Sequence, residues 1–168
     1  TVVIVVLATG DADPPEVTTA PAMAGDGSLA ELEAAVAAQA DNNPMRLALA
    51  QRYFDAGDYM NAMNHYSTVT ATDPTPQEAA TANAHIGWMA WAALNDAETA
   101  LSFLDAALAA DPEYGEALLW KAVVLLYGME DGETAVPLFE RVLSLPDLPP
   151  ELRPDVEALL EEARGGTP

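Results

Sequence analysis

Three stretches of the chain repeat one pattern of small and large apolar residues: GDYMNAMNHYSTVTATDP (57–74), NDAETALSFLDAALAADP (95–112) and DGETAVPLFERVLSLPD (131–147). Each has a polar turn, an alanine (Ala62, Ala100, Ala135), and a large apolar residue four positions on (Tyr66, Leu104, Phe139). A smaller apolar residue follows three later (Val69, Ala107, Val142), and each stretch closes near a proline (Pro74, Pro112, Pro146). Spacings of four and three put these side chains on one face of a helix. The alanine lets a neighbouring helix approach, and the larger residue fills the groove beside it. A single unit of this kind cannot bury its face alone, so units recurring at a period of 20–50 residues stack into a solenoid.

The rest of the chain agrees with an all-α reading. After residue 10 the apolar segments keep helical spacing and none alternates with a period of two. Helices are expected at about 28–40, 44–56, 58–71, 76–94, 97–110, 113–128, 131–145 and 150–164. Ser28 and Glu31 form a Ser-x-x-Glu capping box for the first of them. Turns as short as DAGD, LND and DPE make successive helices antiparallel neighbours. Pro137 falls near the start of its helix, where a missing N–H is tolerated.

The repeats resemble the tetratricopeptide family. Leu49, Ala50 and Tyr53, then GDY, Ala62, Tyr66 and Pro74 carry the resemblance in the first repeat. Ile86-Gly87 stands in the second where the family usually has Leu-Gly, and the third is looser and lacks that glycine. The resemblance covers roughly 44–147 and implies an antiparallel helix-hairpin solenoid of about three repeats. Helices at 28–40 and 150–164 would cap its ends, completing a helical domain at 28–164 with a short tail, 165–168.

The resemblance also implies that the first helix of each repeat lines a concave groove. Its inward positions are then Leu47, Gln51 and Phe54; Ala84, Trp88 and Trp91; and Leu119, Val123 and Tyr127. Trp120 lies one position off that line. Such a groove suits an amphipathic helix or an extended apolar segment of a partner protein. The alternative is that the indoles fill space between repeats. A clamp for acidic chaperone C-termini is not expected, because Arg46, Arg52 and Lys121 are scattered.

Charge narrows the partners further. The 27 Asp and Glu residues face 6 Lys and Arg, for a net charge of −21. Nucleic-acid binding needs clustered cations that displace phosphate counterions, so it is not expected of this chain. Without cysteine there is no disulfide, thiolate metal site or thiol nucleophile. His65 and His85 are twenty residues apart on different helices, in no metal or catalytic spacing. DADPPE fails the calcium-loop pattern, with Glu16 at position six and Ala22 at position twelve. No base, nucleophile, metal or cofactor motif emerges, and a non-enzymatic role is expected.

The chain opens on TVVIVVLA, an uncharged run followed by TGDADPPEVTTAPAMAGDG (9–27). The latter composition reads as a linker. As a helix, residues 1–8 span about 12 Å, less than half a hydrocarbon core of about 30 Å. Four readings are open: the end of a membrane anchor, the end of a secretory signal, a strand added to a partner's sheet, or a tail. The anchor is preferred, since anchor, spacer and solenoid form a coherent tether. That order, with LEAAVAAQADNNP and LSLPDLPP, is similar to the tetratricopeptide subunits of bacterial cytochrome c maturation. The resemblance implies a periplasm-facing interaction module in assembly of an envelope complex. The alternative is a permanent accessory subunit of a respiratory or photosynthetic membrane complex.

Overall fold

A computed structural model describes residues 26–165. The TVVIVVLA run, the linker up to residue 25 and the last three residues lie outside the described residues. Eight α-helices follow one another: α1 (Asp26–Ala38), α2 (Asn43–Asp55), α3 (Tyr59–Thr70), α4 (Pro76–Leu94), α5 (Ala97–Ala110), α6 (Gly115–Val123), α7 (Gly132–Ser144) and α8 (Arg153–Ala163). No strand occurs among the described residues. Each helix packs on its successor, and α2 also touches α4 as α4 touches α6. The first helices of the hairpins therefore share one face of the solenoid, with α1 and α8 at its ends.

The repeated residues occupy the places that their spacing demands. Ala62, Ala100 and Ala135 are fully buried, as are Tyr66, Leu104 and Phe139. Val69, Ala107 and Val142 lie beneath them, at most 1% exposed. The core is a run of apolar clusters along the solenoid, one centred on α2–α4, one on α4–α6 and one on α6–α8.

The three hairpin turns share a device that the sequence half conceals. Gly57, Asn95 and Glu130 have φ of 75°, 52° and 53°. Each precedes an aspartate that caps the next helix: Asp58 accepts from the Asn61 amide, Asp96 from Thr99 and Asp131 from Thr134. A left-handed residue stops one helix and a carboxylate starts the next.

Four local expectations need correction. α1 begins at Asp26, so Ser28 is inside the helix and not its cap. α6 begins at Gly115, because the Asp111 carboxylate accepts from the Glu113 amide and holds that stretch in a turn. α8 begins at Arg153, after a turn in which the Leu152 amide bonds Pro149 O. Pro137 is interior to α7, beyond its first turn, with its ring exposed.

The expected single helix over 113–128 also changes pitch. Val124–Gly128 is a π-helical turn, closed by the Met129 amide on Val124 O at 3.2 Å. Its last residue, Gly128, lies where a Cβ would come within 2.9 Å of Ala97 Cβ and the Trp91 ring. The wide turn thus ends on the one side chain small enough for α4 and α5 to close over it.

Candidate interaction face

Four rings link the first helices of the three hairpins. Phe54 on α2 meets His85 on α4 edge-to-face at 5.1 Å. His85 meets Trp120 on α6 edge-to-face at 5.0 Å, and Trp120 stacks on Trp88 of α4 at 5.4 Å. Tyr66, from α3, stacks under His85 at 4.8 Å. His85 and Trp120 are buried, 2% and 1% exposed, whereas Phe54 and Trp88 retain accessible surface. The strip therefore has a sealed inner layer and two outer rings.

His85 is an unusual choice for such a layer. Its Nδ1–H donates to Thr81 O at 2.9 Å, which leaves Nε2 as a bare acceptor. Among the described residues that atom has no partner, and neither do the buried indole nitrogens of Trp91 and Trp120. Burial holds the His85 pKa below the ordinary histidine value, against the opposing pull of Glu116, the Thr81 carbonyl and Asp55. The ring is neutral at pH 7, and its role in the strip is apolar.

The residues expected to line the groove divide into two groups. Leu47, Gln51, Phe54, Trp88 and Tyr127 keep some exposure. Ala84, Trp91, Leu119 and Val123 are buried, with Val123 at 0% and Trp91 at 4%. Leu119 and Val123 share their cluster with Phe139 of α7 and Val156 and Leu159 of α8. Tyr127 leans the same way, its hydroxyl donating to Glu162 of α8 at 2.9 Å. Gln51 is tied down as well: its carbonyl accepts from the Tyr66 hydroxyl at 3.1 Å, and its amide donates to Asp55 at 2.7 Å. The side of α6 that looks towards α4 carries Ala117 and Trp120, and Val124 of the π turn continues it.

Sequence reasoning overlooked His85 as a member of the strip and left Trp120 just outside the expected line. The available signal was their place on first helices, one position off the expected line in the case of Trp120. His65, the other histidine, belongs to a separate group near α1. It stacks on Tyr53 at 5.5 Å and lies 3.4 Å from an Arg46 guanidinium nitrogen. Tyr53 in turn donates to Glu33 of α1, and that bond, with burial, pushes its pKa up to about 12. This group fastens the first cap to the solenoid. Among the described residues, no three His, Asp or Glu side chains come together as a metal site. No helix among them is long and apolar enough to cross a membrane.

No protein-family model matches the chain, and no curated protein does. Two crystal structures of MamA are similar to it. One superposes with a TM-score of 0.61 at 19% identity, over 83% of this chain and 86% of MamA. The other gives 0.60 at 21% identity, over 83% and 77%. At such identities the likeness speaks for the fold, and the fold of this chain is a tetratricopeptide-like helical solenoid.

Proposed function

We propose that this chain is a non-enzymatic scaffold that holds a segment of a partner protein against the α2–α4–α6 face. The observation that carries the reading is the aromatic strip. Phe54 and Trp88 stand on a buried layer of His85 and Trp120, so two rigid rings on different helices are presented at fixed spacing. Rigid aromatic anchors give contact area at low entropic cost and dominate interface energetics. Leu47 extends the apolar surface at the α2 end, and an amphipathic helix or an extended apolar segment fits such a face.

The finer reading places the scaffold at the bacterial envelope, tethered through residues 1–8 and reaching outward on the linker. Its job there is assembly of an envelope complex such as a c-type cytochrome system. Support comes from the apolar opening run, the Pro- and Thr-rich spacer and the sequence resemblance. A mild-detergent pull-down of the native chain from its own membranes, with quantitative mass spectrometry, tests this. Substoichiometric recovery of apocytochromes or haem-attachment proteins is expected, and Trp88→Ala should lower it. A fixed ratio to one large membrane complex would make the chain a permanent subunit. Recovery from the soluble fraction alone would remove the tether.

A further inference from the structure

At the end of the solenoid opposite α1, two connections face each other across a cavity of 830 Å³. One wall is the α5–α6 turn and the start of α6, and the other runs from Leu145 to the first turn of α8. Leu119 and Val142 are buried in its floor, and Leu145, Leu148 and Leu152 line it while partly accessible. An apolar hollow of this size on so acidic a protein is out of keeping with its surface.

The rim carries one sign of charge. Glu113, Asp147, Glu151 and Asp155 border the cavity, and their carboxylates make no hydrogen bond or ion pair among the described residues. Asp111 and Glu116 add two more, although these also brace the walls. Asp111 accepts from the Glu113 amide at 3.1 Å, and Glu116 from the Tyr114 hydroxyl at 2.6 Å. No Lys or Arg lines the cavity. Arg141 donates to Pro112 O at 2.6 Å and Arg153 to Leu143 O at 3.1 Å, so both guanidinia fasten the walls, and among the described residues neither forms an ion pair with a rim carboxylate.

We propose that this cleft docks a cationic segment of another protein, with one or two leucine-sized side chains over the floor and Lys or Arg on each side meeting the rim. Charge complementarity selects the occupant. An anionic or purely polar segment would leave four carboxylates facing like charge or water, whereas a flanking cation finds one on either wall. Neither residues 1–25 nor a second copy of this chain meets that requirement. Residues 1–25 contain no Lys or Arg, and a second copy brings a net charge of −21 of its own. This surface is separate from the aromatic strip and shares with the expected groove only Leu119, so either can fail without the other.

The test is an NMR titration of the full-length, isotope-labelled chain with a synthetic peptide of about ten residues, two central leucines flanked by lysine pairs. Two control peptides replace the lysines by glutamate or the leucines by serine. Saturable shifts are expected at the amides of Gly115, Leu148 and Leu152, with affinity falling at least about tenfold between 50 and 300 mM salt. Glu151→Lys with Asp155→Lys, both exposed, should weaken binding about tenfold or more while the circular dichroism spectrum stays unchanged. Glu113→Lys tests the opposite wall independently. Equal binding of the serine peptide would reduce the effect to diffuse attraction by an acidic surface and overturn the proposal. So would undiminished affinity in the reversed variants, or no saturable binding at all.

Discussion

Gly87 lies in α4 beside the aromatic strip, two residues after His85 and one before Trp88. In an ordinary helix interior, Gly→Ala should stabilise by about 1 kcal/mol, because alanine loses less backbone freedom. Here a Cβ would come within 2.9 Å of both Ala100 O and Leu104 Cγ, and within 3.3 Å of the Leu104 amide nitrogen. Ordinary contact begins at 3.4 Å, so α4 and α5 must part by about 0.5 Å. Neither obstacle yields easily: one is helix backbone, and the other is the branch point of a leucine with no exposed surface. Overpacking of this kind costs about 1–3 kcal/mol, which outweighs the propensity gain and leaves Gly87→Ala about 1 kcal/mol less stable than the wild type. Urea unfolding followed by far-ultraviolet circular dichroism measures it. Gly115→Ala is the control, since its Cβ would meet only a terminal methyl of Leu145 at 3.1 Å, which can swing aside. The same half-ångström shift carries His85 and Trp88 with α4, so the indole emission should change in Gly87→Ala and not in the control. A Gly87→Ala protein as stable as the wild type would show slack between these helices and refute the close-packing argument.

The strip itself separates by substitution: Trp120→Ala removes a fully packed ring and should cost about 3–5 kcal/mol, whereas Trp88→Ala opens a site that water can enter and should cost about 1–3 kcal/mol. Equal losses in urea titrations would mean that Trp88 is core and presents nothing to a partner. His85 predicts acid lability, since its folded pKa is held below the unfolded value of about 6.5. The neutral ring's contribution is then whole above about pH 6.5 and is lost as pH falls towards the folded pKa, at up to about 1.4 kcal/mol per pH unit. His85→Phe should flatten that slope in stability curves between about pH 7 and 5, and an unchanged slope would assign the lability elsewhere. Glu130 adopts φ 53° with no glycine to ease it. Left-handed backbone costs such a residue about 1–2 kcal/mol, and the more flexible unfolded chain returns part of that, so Glu130→Gly should stabilise by about 0.5–1 kcal/mol in thermal melts.

How much of this was legible follows from what each feature depends on. The triplets Ala62–Tyr66–Val69, Ala100–Leu104–Ala107 and Ala135–Phe139–Val142 could be read directly, because a crossing between neighbouring helices sets residue size at fixed spacing along one helix. The start of α4 at residue 76 was read as well, although the capping box that Thr75 and Glu78 close there was not, and the box read at Ser28 and Glu31 is absent from the helix start. The line Leu119–Val123–Tyr127 shows where local reading stops. It assumed that α6 turns the same side to α4 that α4 turns to α2, yet one residue along a helix is about 100° of rotation. In the structure Trp120 faces α4 and its neighbours Leu119 and Val123 face α7 and α8. The π turn at Val124–Gly128 shifts the phase again, and no triplet in the sequence announces it. The cleft was further out of reach, since its walls come from loops about thirty residues apart that each read as a plain turn.

The few cations tie neighbouring elements of this acidic solenoid to one another. Arg46 donates to Ala40 O at 2.8 Å, tying α2 to the turn after α1. Lys121 of α6 pairs with Asp105 of α5. Arg141 of α7 bonds Pro112 O, and Arg153 of α8 bonds Leu143 O. Arg164 reaches Glu140 of α7 at 2.8 Å. Each bond joins elements that the solenoid stacks together, and three of the five accept at backbone carbonyls. The exposed pairs Lys121–Asp105 and Arg164–Glu140 contribute little stability, about 0–1 kcal/mol each, so adhesion comes from the buried triplets and the cations set orientation. A cation bonded to a carbonyl forms no close pair with a carboxylate, so many of the acids stay unpaired at the surface. The net charge of −21 repels other copies of the chain and attracts cationic partners. On that surface the leucine-floored cleft is the place where unpaired carboxylates border an apolar hollow, and attraction there gains a shape to act on.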